Sequence, residues 1–208
     1  MKFQITSRNK WRIYYRGLCF SIILWSVATV ILISYSPDLW WELLLYILIC
    51  AGLIDIGPAL YLFKEHLKVN QGYSLYIHNN SLSFINSKGY ELVSELKEIK
   101  KVVIYIPPNN YRETIKMISM ENFSYARFEL KNGQEFYVTC LMVPKLKNFV
   151  TEYLSGVPVD YHRWWIFPSI RLCNYFRRKK GLLPTKTSEY SKEKPESKPG
   201  NELSSVES

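Results

Sequence analysis

Residues 17–35, GLCFSIILWSVATVILISY, form a run of 19 positions without a charge. After Ser36-Pro37-Asp38 a second run, LWWELLLYILICAGLIDIGPALYLF, occupies 39–63 with Glu42 and Asp55 as its only charges. At about 1.5 Å per helical residue, each run nearly or fully crosses a hydrocarbon core of roughly 30 Å. A connection of three residues leaves no room for anything but an antiparallel hairpin, with Trp40 and Trp41 at an interface. A cleaved leader is the competing reading of the first run. It is disfavoured because the run exceeds an ordinary leader core and no small-x-small site precedes the second run.

The distribution of charge orients this hairpin. Net charge is +9, yet Lys2, Arg8, Lys10, Arg12 and Arg16 precede the first run with no acid among them, and Arg163, Arg171, Arg177, Arg178, Lys179 and Lys180 form a second block. These two blocks carry +11 and leave the rest of the chain at −2. The loop between the runs has no Lys or Arg, and Lys64 and Lys68 follow the second run. The basic bias therefore predicts both termini in the cytoplasm and a multi-pass protein of the cell (inner or plasma) membrane. Asp55 is the one ionisable residue well inside a span, which makes it a candidate intramembrane polar site. The competing account has it protonated, or bonded to Ser26 or Thr29 of the first helix, with Gly57-Pro58 kinking the second. That account is preferred, since one carboxylate without a basic partner is no transport pathway.

Beyond residue 70 the apolar period changes from helical to alternating. In YSLYIHNNSLSFI a two-residue Asn79-Asn80 turn sets Ile77 opposite Leu82 and Leu75 opposite Phe84, so one face is apolar. In YARFELKNGQEFYVT a three-residue Lys131-Asn132-Gly133 loop pairs Phe128 with Phe136 and Ala126 with Val138, and puts Arg127, Glu129, Glu135 and Tyr137 on the outer face. Residues 89–108 read as strand, polar turn and β-branched strand, ended by Pro107-Pro108. The stretch 109–123 has little period and is expected to be a polar connection with part of an added strand. Pro144 then opens PKLKNFVTEYL, whose Leu146, Phe149, Val150 and Tyr153/Leu154 recur at helical spacing.

This order of elements resembles the bacterial pleckstrin-homology-like (PH-like) domains that follow a transmembrane hairpin. The resemblance rests on LYIHNNSLSFI, ELVSELKEIKKVVIYI and YARFELKNGQEFYVTCLMVPKLKNFVTEYL, and covers roughly residues 15–154. It implies an interaction module without catalysis. The first hairpin offers only His78, Asn79, Asn80 and Ser81, which departs from the basic residues that lipid-binding members of the wider superfamily place there.

The expected fold is thus an α+β membrane protein: a two-helix transmembrane hairpin, then a small antiparallel β-barrel or sandwich capped by a C-terminal helix. Its segments are a basic N-terminus (1–16), two spans (17–35 and 39–63), the PH-like domain (70–156), a basic aromatic segment (157–180) and a tail (181–208). The tail is rich in Lys, Glu, Ser and Pro and reads as disordered. In the segment before it, Trp164 and Trp165 alternate with the cations Arg163, Arg171, Arg177, Arg178, Lys179 and Lys180. These are the candidate membrane-surface residues, suited to anionic lipid at the cytoplasmic face. The alternative packs the aromatic rings on the domain's own sheet. Nucleic acid is not expected as a partner.

Cys19, Cys50, Cys140 and Cys173 stand singly, and His66, His78 and His162 are scattered, so neither a metal site nor a catalytic triad is read from them. No phosphate loop, nucleophile elbow or ligand spacing appears, and no cofactor is implied. The functional expectation is a non-enzymatic scaffold that binds a membrane or cytoplasmic protein, or the membrane surface. The alternative is an immunity or regulatory protein acting through its hairpin. Two helices enclose no pore unless the chain forms a homo-oligomer.

Overall fold

A computed structural model describes residues 1–78, 80–87, 89, 91–112, 118–162 and 167–180. The chain divides into two units, Met1–Cys173 and Asn174–Ser208. The second contributes only residues 174–180 to the description. Arg163, Trp164, Trp165 and the expected tail over 181–208 lie outside the described residues.

The first strand, β1, is Lys2–Gln4, and two long helices follow it at once. Helix one runs Ser7–Tyr35 and helix two Pro37–Asn70. Thr6 starts helix one by accepting the Asn9 amide on its hydroxyl at 3.1 Å, the usual way to satisfy an orphan amide of a first turn. Pro37 stands at the start of helix two, where its missing N–H costs nothing. Both helices are longer than the apolar runs, and the surplus enters the folded domain. Only 6% of the most apolar window of helix one is buried, and 22% of that of helix two. Helix two contains a π-helical turn over Ala51–Ile56. It is closed by the Gly57 amide donating to Gly52 O, where a side chain on Gly57 would place a Cβ 2.6 Å from that oxygen. Pro58, with no N–H to give, sits in the next turn and favours such a bulge over a regular ladder.

Two four-stranded sheets make up the rest. The first has the order β1-β2-β3-β4, with β2 Tyr73–His78, β3 Ser81–Asn86 and β4 Glu91–Glu95. The second has the order β7-β6-β5-β8, with β5 Ile99–Tyr105, β6 Tyr125–Leu130, β7 Glu135–Thr139 and β8 Val159–His162. All pairings are antiparallel except β5 with β8. The 3₁₀ turn Leu96–Glu98 carries the chain from one sheet to the other, capped by reciprocal bonds of Glu95 and Glu98.

The registers read from turn chemistry hold: Ile77 faces Leu82 and Leu75 faces Phe84, while Phe128 faces Phe136 and Ala126 faces Val138. Gly133 takes φ +85°, as a glycine bulge requires. Stacking of Phe136 on Phe128 at 4.6 Å and on Phe84 at 5.4 Å ties the sheets together. The short helix Leu146–Tyr153 closes the core with Leu146, Phe149 and Val150.

Two expectations change. The sheet begins at residue 2, not 70, because Lys2, Phe3 and Gln4 pair with Tyr76, Leu75 and Ser74. Phe3 also lies edge-on to Phe149 at 5.1 Å. The hairpin is therefore inserted after the first strand of the domain. The connection 109–123 adds no strand among its described residues, but forms helical turns at Pro108–Tyr111 and Ser119–Asn122. The outer face of β6, which carries Arg127, is covered, and Arg127 is only 7% exposed.

Candidate functional site

The functional reading turns on where the hairpin meets the sheets. Gly17, Ser21 and Trp25 recur every four residues and share one face of helix one. Against that face lies the 3₁₀ segment Ser119–Asn122. A side chain at Gly17 would meet Asn122 Nδ2 at 2.5 Å, so glycine lets the segment approach. Ser21 and Ser119 share a hydroxyl–hydroxyl hydrogen bond of 2.7 Å. From helix two, Asp55 accepts the Ser119 amide on Oδ1 at 2.7 Å and Trp25 Nε1–H on Oδ2 at 3.4 Å. Ser21 and Asp55 are fully buried, and Ser119 is 2% exposed. Asp55 thus bonds neither Ser26 nor Thr29. The Thr29 hydroxyl donates to Trp25 O of its own helix, which satisfies it locally.

The last turns of helix two fix the other side. Glu65 accepts Ser169 Oγ–H at 3.1 Å, the Ile170 amide at 3.2 Å and the Arg171 amide at 2.7 Å. Those groups open the C-terminal helix Ile170–Lys179, so a buried carboxylate caps it and complements its dipole. His66 Nε2–H donates to Pro168 O at 3.1 Å and its Nδ1 faces Cys140 Sγ at 3.9 Å. His66 stands three residues beyond the second apolar run, among Phe123 and Tyr125. Burial drives its pKa down to about 4 against the opposing pull of the Pro168 carbonyl. The Asn70 side chain then behaves like a strand residue: its Nδ2–H donates to Tyr137 O at 2.8 Å and its Oδ1 accepts the Thr139 amide at 2.7 Å. The open edge of β7 is thereby paired.

On the outer face of the second sheet, Ile170 and Cys173 cover Val103, Tyr105 and Tyr125. Burial raises the pKa of Tyr105 and Tyr125. Arg127 pairs with Glu129 at 2.5 Å and with Glu135 at 3.5 Å. Ile170 and Cys173 seal this face, Phe167 stacks on Tyr61 of helix two at 5.7 Å, and Tyr175 and Phe176 stand exposed.

Of the sequence candidates, Asp55 is drawn into the junction. Arg171 supplies a backbone amide to Glu65, and Arg177, Arg178 and Lys179 form the last turn of the C-terminal helix, followed by Lys180. Sequence reasoning missed Ser21, Glu65, His66, Asn70 and Ser119. The four-residue spacing of Gly17, Ser21 and Trp25 was the available signal for a packed face. Among the described residues no group of three or more His, Cys, Asp or Glu is placed to hold a metal. The Cys140–His66 pair is wholly buried, so no substrate reaches it. Asp55, Glu65 and Asn70 each take up backbone groups across the junction, where Thr139 Oγ1 is buried without a partner, and what the arrangement does is fix a position.

A family model described as a PH domain matches residues 2–148. That range begins at β1 and includes the hairpin. No curated protein and no solved structure matches the chain.

Proposed function

The chain belongs to the PH domain family, and from that premise we propose that it is a membrane-anchored interaction protein whose sheets are held at a fixed height over the bilayer. PH domains are generally non-catalytic modules that bind lipids or proteins. The observation that carries the reading is the contrast along the two helices. From Phe20 to Tyr35 and from Leu39 to Ile54 large apolar side chains stand exposed, whereas Ile13, Tyr14, Ala59 and Leu62 are buried with the sheets. The exposed stretches measure roughly 24 Å each. That is somewhat less than a hydrocarbon core of roughly 30 Å, so a spanning hairpin draws the domain flush against the surface.

Both termini then lie on one side, which the basic flanks assign to the cytoplasm. The cations Arg171, Arg177, Arg178, Lys179 and Lys180, with Arg163, Trp164 and Trp165 before them, supply contacts for anionic headgroups. A protein partner meets the sheets, and the β7 edge is not the strand it extends, since Asn70 already pairs it.

Alkaline extraction of native membranes, followed by crosslinking and mass spectrometry on the pellet, tests this. The chain is expected to stay with the lipid and to crosslink to one dominant protein through residues 70–154. Release into the alkaline supernatant overturns the anchoring. Retention with crosslinks only between copies of the chain overturns the adaptor role.

A further inference from the structure

Where the helices leave the sheets, cations and aromatic rings gather at one level. On helix one, Trp11 and Tyr15 are 59% and 41% exposed and stack at 5.8 Å. Arg12 and Arg16 are exposed beside them, and the spacing of four puts these pairs on one stripe. On helix two, Tyr61 is exposed, as are Lys64 and Lys68 one and two turns further on. The two stripes are brought level by the stack of Tyr14 on Phe63 at 4.4 Å, with Tyr15 6.3 Å from the same ring. Arg16 and Lys64 are each the next or next-but-one residue to that stack.

The charge of this collar is not neutralised. Among the described residues, the ion pairs involve Lys97, Lys101 and Arg127 and none of the collar cations. The acid nearest in sequence, Glu65, is buried and spends its oxygens on the C-terminal helix. Cations beside aromatic rings, directly below an exposed apolar surface, match the order of phosphate, glycerol and acyl chain in a phospholipid.

We propose that Arg12, Arg16, Lys64 and Lys68 form a binding collar for the phosphate headgroups of anionic phospholipids. The collar uses none of the C-terminal cations, and the proposal rests on the membrane reading above. Lipid bound there holds the domain down through both helices at once.

The test uses the full-length chain purified in detergent and titrated with phosphatidylglycerol or phosphatidylcholine, with retained lipids counted by native mass spectrometry. The parent is expected to hold phosphatidylglycerol roughly tenfold more tightly. The R12Q/R16Q/K64Q/K68Q variant should lose that preference, while R177Q/R178Q/K179Q keeps most of it. Equal retention of both lipids by the parent overturns the proposal, as does a preference that follows the C-terminal cations instead. Should the collar variant fail to fold, salt provides the second measurement on the parent. A preference that survives about 1 M NaCl, where charges are screened beyond roughly 3 Å, also overturns the collar. A chain that resists alkaline extraction but shows no lipid preference sinks the collar alone, whereas release by alkali sinks the membrane reading beneath it.

Discussion

Asp55 accepts hydrogen bonds from two directions, the Ser119 backbone of the domain and the Trp25 indole of helix one. Truncation to alanine leaves the buried Ser119 amide and the half-buried Trp25 N–H without an acceptor, at about 1–3 kcal/mol for the buried group and less for the other. Asp55→Ala is therefore expected to destabilise the chain by about 2–4 kcal/mol, read by denaturation in detergent. Asp55→Asn, which keeps an accepting oxygen, should cost less. Equal losses for the two would show that the hydrogen bonds are not what matters. His66 gives a pH signature. Its folded pKa of about 4 lies below the unfolded value near 6.5, so the unfolded chain binds the extra proton. Stability from this group is complete above about pH 6.5 and declines as pH falls toward 4, by about 3 kcal/mol in all. Denaturation midpoints at pH 7 and pH 5 should differ in the parent and converge in His66→Gln, once both are referred to their own values at pH 7.

Among the elements, the C-terminal helix depends on one side chain. Glu65→Ala removes the acceptor for Ser169 and for the amides of Ile170 and Arg171, a loss of about 1–2 kcal/mol for a cap. Hydrogen exchange at residues 170–173 should quicken while β5 and β6 stay protected. Uniform loss of protection would mean that the helix end and the sheets unfold together. The hairpin from β6 to β7 relies on Gly133 at φ +85°. Gly133→Ala should lower stability by about 1 kcal/mol through backbone strain alone, since an added methyl group there would meet only open space. A neutral result in thermal melts would show that the loop relaxes to another turn. Both hairpin registers were legible in the sequence because a turn and its flanking alternation are local. The strand Lys2–Gln4 was not, since three residues carry no measurable period and its partner lies some 70 positions away.

For the molecule as a whole, the main consequence is that hairpin and sheets fold together. Ile13, Tyr14, Ala59 and Leu62 belong to the same core as Phe84, Phe128 and Phe136. A fragment of residues 70–180 lacks β1 and leaves that core open. It is expected to give poorly dispersed amide spectra and to aggregate, whereas the full chain in detergent gives a dispersed spectrum. A well-folded fragment would show that the helices only tether the domain.

The sequence by itself determined the two apolar helices, their antiparallel return, the alternation of the strands and the helix that closes the core, and it marked Asp55 as a costly acid. Each of these follows from periods, turns and transfer energies that act over a few residues. Only the tertiary structure decided that β1 precedes the hairpin, that Glu65 caps a helix 105 positions on and that Asp55 meets Ser119 64 positions away. Those contacts join polar side chains to backbone groups, and a backbone amide looks the same at every position until the fold selects one.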